Sequence, residues 1–463
     1  MENRILYYST NRNLDHINGI VPFRGKVTFG EALLQGQAPD EGLYVPDRIP
    51  HISYEDIISL KDKSYVEAAM LVTGIFLGDE IDAGILRRII EDSYPFIIPL
   101  QKVFDRKYIM RLDRGPTASF KDFAARMMAR LMEHFRDRDK RLNVLVATSG
   151  DTGSAVGEAF KGIEGIDVNI LYPRDEVSER QKKQLDTIGN NIRSLSINGK
   201  FDDCQDLVKQ AFSDPSLDHL NFTSANSINF GRILPQMVYY FYAYAQLCRK
   251  RETIVISVPS GNFGNALGCE YARRMGLPVQ RLIMPTNEND EFPRFLEKGV
   301  YEKLSPSLAC LSNAMNVGHP SNLARFFELY GGTVDRTGEV HVYPDIETIR
   351  KNIYSVSISD EETKKCIKKT YERYSVILEP HGAVGWRGLE AYLEQCGDFP
   401  LCVSLETAHP AKFPDEIVDL LGITPEVPDS MKGIDESEGK SLELSADYKM
   451  FKEYLIDNLK SEV

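Results

Sequence analysis

A chain of 463 residues, 42% hydrophobic and 27% charged, has material for about three domains of roughly 150 residues each and no difficulty in burying a core. Its net charge of −13 argues against a nucleic-acid surface or an anionic membrane as partner, while leaving room for a local basic pocket and a small anionic ligand. Seven cysteines scattered singly, with no C-x-x-C, indicate neither a disulfide framework nor a zinc site; together with a first stretch, MENRILYYSTNRN, that lacks a signal-peptide pattern, they suggest a reduced, cytoplasmic protein.

Residues 1–95 read as a mostly helical domain. After a loop-rich beginning that contains QGQAPDEGLYVP come two amphipathic candidates, SYEDIISL and EIDAGILRRIIEDSY. The apolar runs AAMLVTGIFLG and, later, MVYYFYAYAQLC are too short to span a bilayer and suit buried helices.

The next helix is predicted in GPTASFKDFAARMMARLMEHF, Gly115 to Phe135, where Phe120, Phe123, Met127 and Leu131 follow the spacing of one apolar face. Ser119 is placed as its N-cap, with Asp122 three residues on as the capping-box acid. Between them sits Lys121. A helix N-terminus carries unpaired N–H groups and partial positive charge, so an ammonium there is electrostatically misplaced and calls for a chemical reason.

From about residue 100 short β-branched runs alternate with glycine turns and helical patterns: LNVLVAT, DVNILYP, TIVISVP, RLIMP and PLCVSL. Such alternation indicates βαβ units and a mostly parallel sheet. Two strand ends repeat one pattern. SGDTGSAVG (Ser149 to Gly157) and SGNFGNALG (Ser260 to Gly268) carry glycines at the same offsets, Gly150, Gly153 and Gly157 against Gly261, Gly264 and Gly268. The repeat implies two related α/β halves with a ligand between their strand ends. Small-residue loops entering helices aim backbone N–H groups at an anion, and neither loop has the spacing of a dinucleotide or NTP site. A third segment, TSANSINFGRILPQ (Thr223 to Gln236), gathers Ser224, Asn226, Ser227 and Asn229 ahead of Arg232, a donor set suited to a phosphate dianion; the alternative is a polar loop that caps the following helix. Eight histidines without H-x-H or H-E-x-x-H speak against a metal site.

Taken together YYSTNRN, FGEALLQGQAPDEGLYVP, PTASFKDFAARMM, ATSGDTGSAV, SANSINFGRILPQ, VPSGNFGNALG, LEPHGAVG and ETAHPAKFP make the chain resemble, over nearly its whole length, the threonine synthases. These are pyridoxal-phosphate enzymes of fold-type II, the tryptophan-synthase-β-like fold: two related open parallel-sheet α/β domains, here expected at 96–245 and 246–463, after an N-terminal domain at 1–95. The resemblance implies that Lys121 forms the imine with pyridoxal 5′-phosphate and acts as base, for which a neutral amine is needed. It implies that Gly261, Asn262, Phe263, Gly264 and Asn265 cradle the cofactor phosphate, and that the Thr407 hydroxyl faces the pyridine nitrogen. Ser149, Asp151 and Thr152 fall in the loop that receives the substrate carboxylate; Asp151 stands near the cofactor's 3′-oxygen, where many relatives carry Asn and an anion facing a phenolate is repulsive. Ser227 and Arg232 match the grip on the substrate phosphate. The implied reaction converts O-phospho-L-homoserine and water to L-threonine and phosphate, by a monomer or homodimer without nucleic-acid, membrane or metal partners. The rivals are a phospholyase that stops after elimination and releases 2-oxobutanoate, and a ligand-binding relative that has lost the chemistry.

Overall fold

Two parallel sheets organise the chain in the computed structural model, which describes residues 4–14, 21–397, 399, 401–433 and 439–459; Met1 to Asn3, at the start of the N-terminal stretch read above, lie outside the described residues. The smaller sheet has five strands in the order Ser441–Ser445, Ile192–Asn198, Ile166–Pro173, Leu142–Ala147, Phe222–Ser224, all parallel. The larger has six, in the order Ile353–Tyr354, Val279–Ile283, Ile254–Ser257, Cys402–Glu406, Lys107–Arg111, Leu100–Phe104. Only its last pair is antiparallel, a hairpin at the edge. The central strands Ile166–Pro173 and Ile254–Ser257 are buried at every position, as sheets covered by helices on both faces require.

All five β-branched runs become strands, and the apolar runs become the buried helices Tyr65–Leu77 and Leu234–Leu247. The division at residue 246 does not match the sheets. The hairpin 100–111, expected in the smaller half, pairs with Cys402–Glu406 in the larger sheet, and Ser441–Ser445, expected in the larger half, pairs with Ile192–Asn198 in the smaller one. Register between distant segments decides this, and local pattern carries no information about it.

The N-terminal helices do not enclose a core of their own. Tyr65 packs edge-on against Tyr94, Phe123 and Tyr242, and the Tyr94 hydroxyl donates to the Phe123 carbonyl at 3.1 Å. One continuous apolar cluster therefore runs from these helices through Lys121–Phe135 and Leu234–Leu247 to both sheets. It fixes the back of the helix that begins with Lys121. Among the described residues no helix is long and apolar enough to cross a membrane.

Candidate active site

The turn before Lys121 is built by Asp122 rather than by Ser119. Asp122 Oδ2 accepts the Thr117 N–H at 2.9 Å and Oδ1 accepts the Thr117 hydroxyl at 2.7 Å. Burial pushes this carboxyl up to about 6 against those two bonds. Ser119, expected as the cap, makes no capping bond. It forms an antiparallel bridge with Ala408, flanked by Phe120 N–H to Thr407 O at 2.8 Å and His409 N–H to Ala118 O at 2.9 Å. That bridge sets Lys121 beside Thr407, with Ala118 held at φ +54°. The Lys121 amine stands 5.0 Å from the Phe120 ring, and burial pushes it below the usual lysine range, with Lys412 and Arg232 acting in the same direction and Asp151 opposing.

A cleft of about 1470 Å³ is lined by all the residues assigned above: Lys121, Ser149, Asp151, Thr152, Ser227, Arg232, Gly261, Asn262, Phe263, Gly264, Asn265 and Thr407. The two glycine loops enter helices Asp151–Phe160 and Gly264–Arg274. In the first, Gly150 adopts φ +128°, and a Cβ there would meet Gln181 at 2.6 Å, so only glycine serves. In the second the left-handed position is Phe263, at φ +62°. Its ring is held against Phe292 at 4.9 Å and Phe326 at 6.3 Å, which offsets the backbone strain. Among the described residues the N–H groups of Gly261, Asn262, Phe263, Gly264 and Asn265 meet no protein acceptor; the same holds for Ser149, Asp151 and Thr152. The side-chain amide of Asn265 serves the loop itself, donating to Pro259 O at 2.9 Å and accepting from Ala266 N.

Arg232 is buried at the cleft wall. Its Nη1 donates to Ala225 O at 2.8 Å, while its buried Nε finds no partner among the described residues. Burial lowers the guanidinium to about 10, so it is still a cation at neutral pH. The neighbouring polar side chains divide their work: Asn229 caps the turn Phe230–Arg232 and ties Leu33 O to Ser224 O, whereas Ser227 faces the cleft. Asn229 caps only this short turn, and the helix Leu234–Leu247 that follows, expected on one reading to be capped by the polar loop, starts without a side-chain cap.

Several site residues escaped the sequence reading. Asp151 is ion-paired with buried Lys412 at 2.7 Å, and Lys412 also donates to Thr117 O at 3.1 Å. Gln181 Nε2 donates to the same carboxylate oxygen at 3.1 Å. Although burial opposes ionisation, Lys412 and Lys121 hold the Asp151 carboxyl far below its usual range. The repulsion expected of an anion here is thereby compensated. Lys412 lies in the quoted stretch ETAHPAKFP, and a lysine between alanine and phenylalanine was the available signal. Behind Thr407, whose hydroxyl is 3.5 Å from Glu379 Oε1, lies a turn in which Glu379 accepts the Gly382 and His381 N–H groups, each at 2.8 Å. His381 Nε2 accepts the Ala314 N–H at 3.1 Å, which puts the ring proton on Nδ1, 2.6 Å from Glu379 Oε2. Ala314 in turn abuts Gly261, where a Cβ would lie 2.9 Å from the Ala314 carbonyl oxygen. His381 therefore braces the second glycine loop.

The chain matches known proteins over nearly all of its length. A family model described as pyridoxal-phosphate dependent enzyme matches residues 99–401, and models for the threonine synthase N terminus and C-terminal region match 22–94 and 382–455. The threonine synthase of Haemophilus influenzae is 39% identical over 435 residues, covering 93% of this chain and 97% of that protein. The crystal structure of threonine synthase from Escherichia coli superposes with a TM-score of 0.86 at 36% identity, covering 98% of this chain and 99% of that one. The pyridoxal-phosphate-bound threonine synthase from Brucella melitensis gives 0.88 at 34% identity, covering 98% and 100%. The chain belongs to the threonine synthase family of pyridoxal-phosphate-dependent enzymes.

Proposed function

We propose that the cleft converts O-phospho-L-homoserine and water to L-threonine and inorganic phosphate. The observation that carries this reading is one juxtaposition: a buried amine of lowered basicity, two clusters of unpaired N–H groups and a buried guanidinium line the same cavity.

The residues present fit pyridoxal phosphate. Five successive N–H groups at Gly261 to Asn265 suit its phosphate, the Lys121 amine its aldehyde and Thr407 its ring nitrogen. When bound, the cofactor supplies an electron sink for charge that develops on the substrate's α- and β-carbons. Lys121 is the base in reach, its neutral form favoured by burial, and it carries protons to and from those carbons. Ser149, Thr152 and the three N–H groups of the first loop receive the substrate carboxylate. Asp151 stays ionised through Lys412 and brings no net charge to that side of the cleft. Arg232, with its unpaired Nε, and Ser227 take the substrate phosphate. As the γ-carbon–oxygen bond breaks they stabilise the charge that gathers on the leaving group, and water adds at the β-carbon.

Product analysis tests the assignment. Purified enzyme given O-phospho-L-homoserine should yield threonine and phosphate in equal amounts. Release of 2-oxobutanoate instead would make it a phospholyase, and no phosphate release would remove the substrate assignment.

A further inference from the structure

Ser227 and Asn262 lie on different segments, one assigned to the substrate phosphate and the other to the cofactor loop, and a buried pair of side chains sits between them. Asn322 is fully buried and precedes the helix Leu323–Leu329. Its Nδ2 donates to Ser227 O at 3.1 Å and to Asn262 O at 3.0 Å, and its Oδ1 accepts Arg325 Nη1 at 2.7 Å. Arg325 is equally buried. It donates to Ser227 O at 3.2 Å, to Ile228 O at 2.5 Å and, from Nε, to Tyr44 O at 2.8 Å in the N-terminal region. At the cleft rim Ser321 completes the bridge: its N–H and hydroxyl donate to Asn262 Oδ1 at 3.3 and 3.2 Å, and its Oγ is 3.4 Å from Ser227 Oγ.

The chemistry of this unit is unusual for a core. Among the described residues every acceptor of the Arg325 guanidinium is a neutral carbonyl or amide oxygen, so its charge is uncompensated, and burial lowers it to about 10. A buried cation without a carboxylate is costly, and an apolar side chain would fill the space with less penalty. What an apolar residue cannot do is hold three carbonyl groups at fixed positions. Two phosphate dianions bound in one cleft repel, and their receptors must stay at a set separation for both to be occupied.

We propose that Asn322 and Arg325 are positioning residues that set Ser227 relative to the Gly261–Asn265 loop, and so determine recognition of a phosphorylated substrate without touching it. This rests on the reading of Ser227 and Arg232 as the substrate-phosphate receptor.

The test uses holoenzyme. Asn322→Asp keeps the shape and the acceptor for Arg325 but loses both donated bonds; Arg325→Lys keeps the charge but loses the fork. For each variant, the inhibition constant of inorganic phosphate and the KM and kcat for O-phospho-L-homoserine are measured beside the cofactor's visible absorption band. We expect the phosphate inhibition constant and KM to rise about tenfold, with the larger part of the loss in KM, while the absorption band stays in place. An unchanged inhibition constant in either variant would overturn the proposal. If both fail to fold, Ser321→Ala decides, with a rise of about threefold expected and no change refuting it. Arg232→Ala separates the two ideas. If it weakens phosphate binding and the Asn322 and Arg325 variants do not, only the positioning role fails; if it too has no effect, the phosphate receptor was misassigned.

Discussion

Lys412→Met removes a buried ammonium 2.7 Å from the Asp151 carboxylate and leaves that carboxylate with the Gln181 amide and the lowered Lys121 amine as nearest compensation. Breaking a buried ion pair from one side costs about 3–5 kcal/mol, because the remaining charge keeps its desolvation penalty. In the native cleft the cations overcome burial and depress the Asp151 carboxyl; without Lys412 burial wins and raises it above its unfolded value.

The pH dependence then changes sign. In the wild type a depressed carboxyl contributes stability that is fully present above its unfolded value, about 3.9, and is lost as the pH falls through the native one. In the variant the native value lies above the unfolded one, so stability is lost as the pH rises through that interval. Equilibrium urea unfolding at about pH 4 and about pH 7 should show the gap between the two proteins widening toward neutrality. The double variant Asp151→Asn, Lys412→Met should recover about 2–3 kcal/mol relative to additivity. A gap independent of pH, or a double variant no more stable than Lys412→Met, would refute the account of Asp151 as an anion held by Lys412.

Lys121→Ala should lower kcat by about 10²–10⁴-fold and abolish covalent attachment of cofactor by borohydride, read by mass spectrometry; attachment to another lysine would remove Lys121 from its role. Arg232→Ala should lower kcat/KM for O-phospho-L-homoserine by about 10²–10³-fold while the cofactor band persists, and an unchanged kcat/KM would clear Arg232 of phosphate binding. Gly115→Ala puts a Cβ 2.6 Å from that of Asp122, so the carboxylate must leave Thr117; thermal unfolding should report a loss of about 1–3 kcal/mol, whereas Thr117→Val in the same background should add little.

What could be read from the sequence was whatever is encoded within one strand-turn-helix unit. The strands, the buried helices and the two glycine loops were legible because hydrophobic runs and glycine offsets are local. The Ser119 cap was a local reading that a nonlocal contact overrode: the bridge to Ala408 ties residues 118–120 to 407–409 and leaves the turn to Asp122. Lys412 was in plain sight, yet Pro-Ala-Lys-Phe reads equally well as a surface turn, and only the assembled fold lays it on Asp151. The sheet membership of residues 100–111 and 441–445 was beyond reach for the same reason.

The two loops also show how one residue divides sites that look identical. They align as Thr-Ser-Gly-Asp-Thr-Gly and Pro-Ser-Gly-Asn-Phe-Gly, and the difference that matters is the first position. The Thr148 hydroxyl accepts the N–H groups of Gly150 at 3.0 Å and Gly153 at 2.8 Å, which leaves three donors facing the cleft. Pro259 has no hydroxyl, and the corresponding N–H groups of Gly261 and Gly264 join their neighbours in a set of five without protein acceptors among the described residues. An anion receptor strengthens with the number of unspent N–H donors converging on it, so the proline loop suits a phosphate dianion and the threonine loop a carboxylate. On the proposed assignment the shared pattern S-G-x-x-G marks two anion loops, and the residue before it sets how many N–H donors each keeps for its anion.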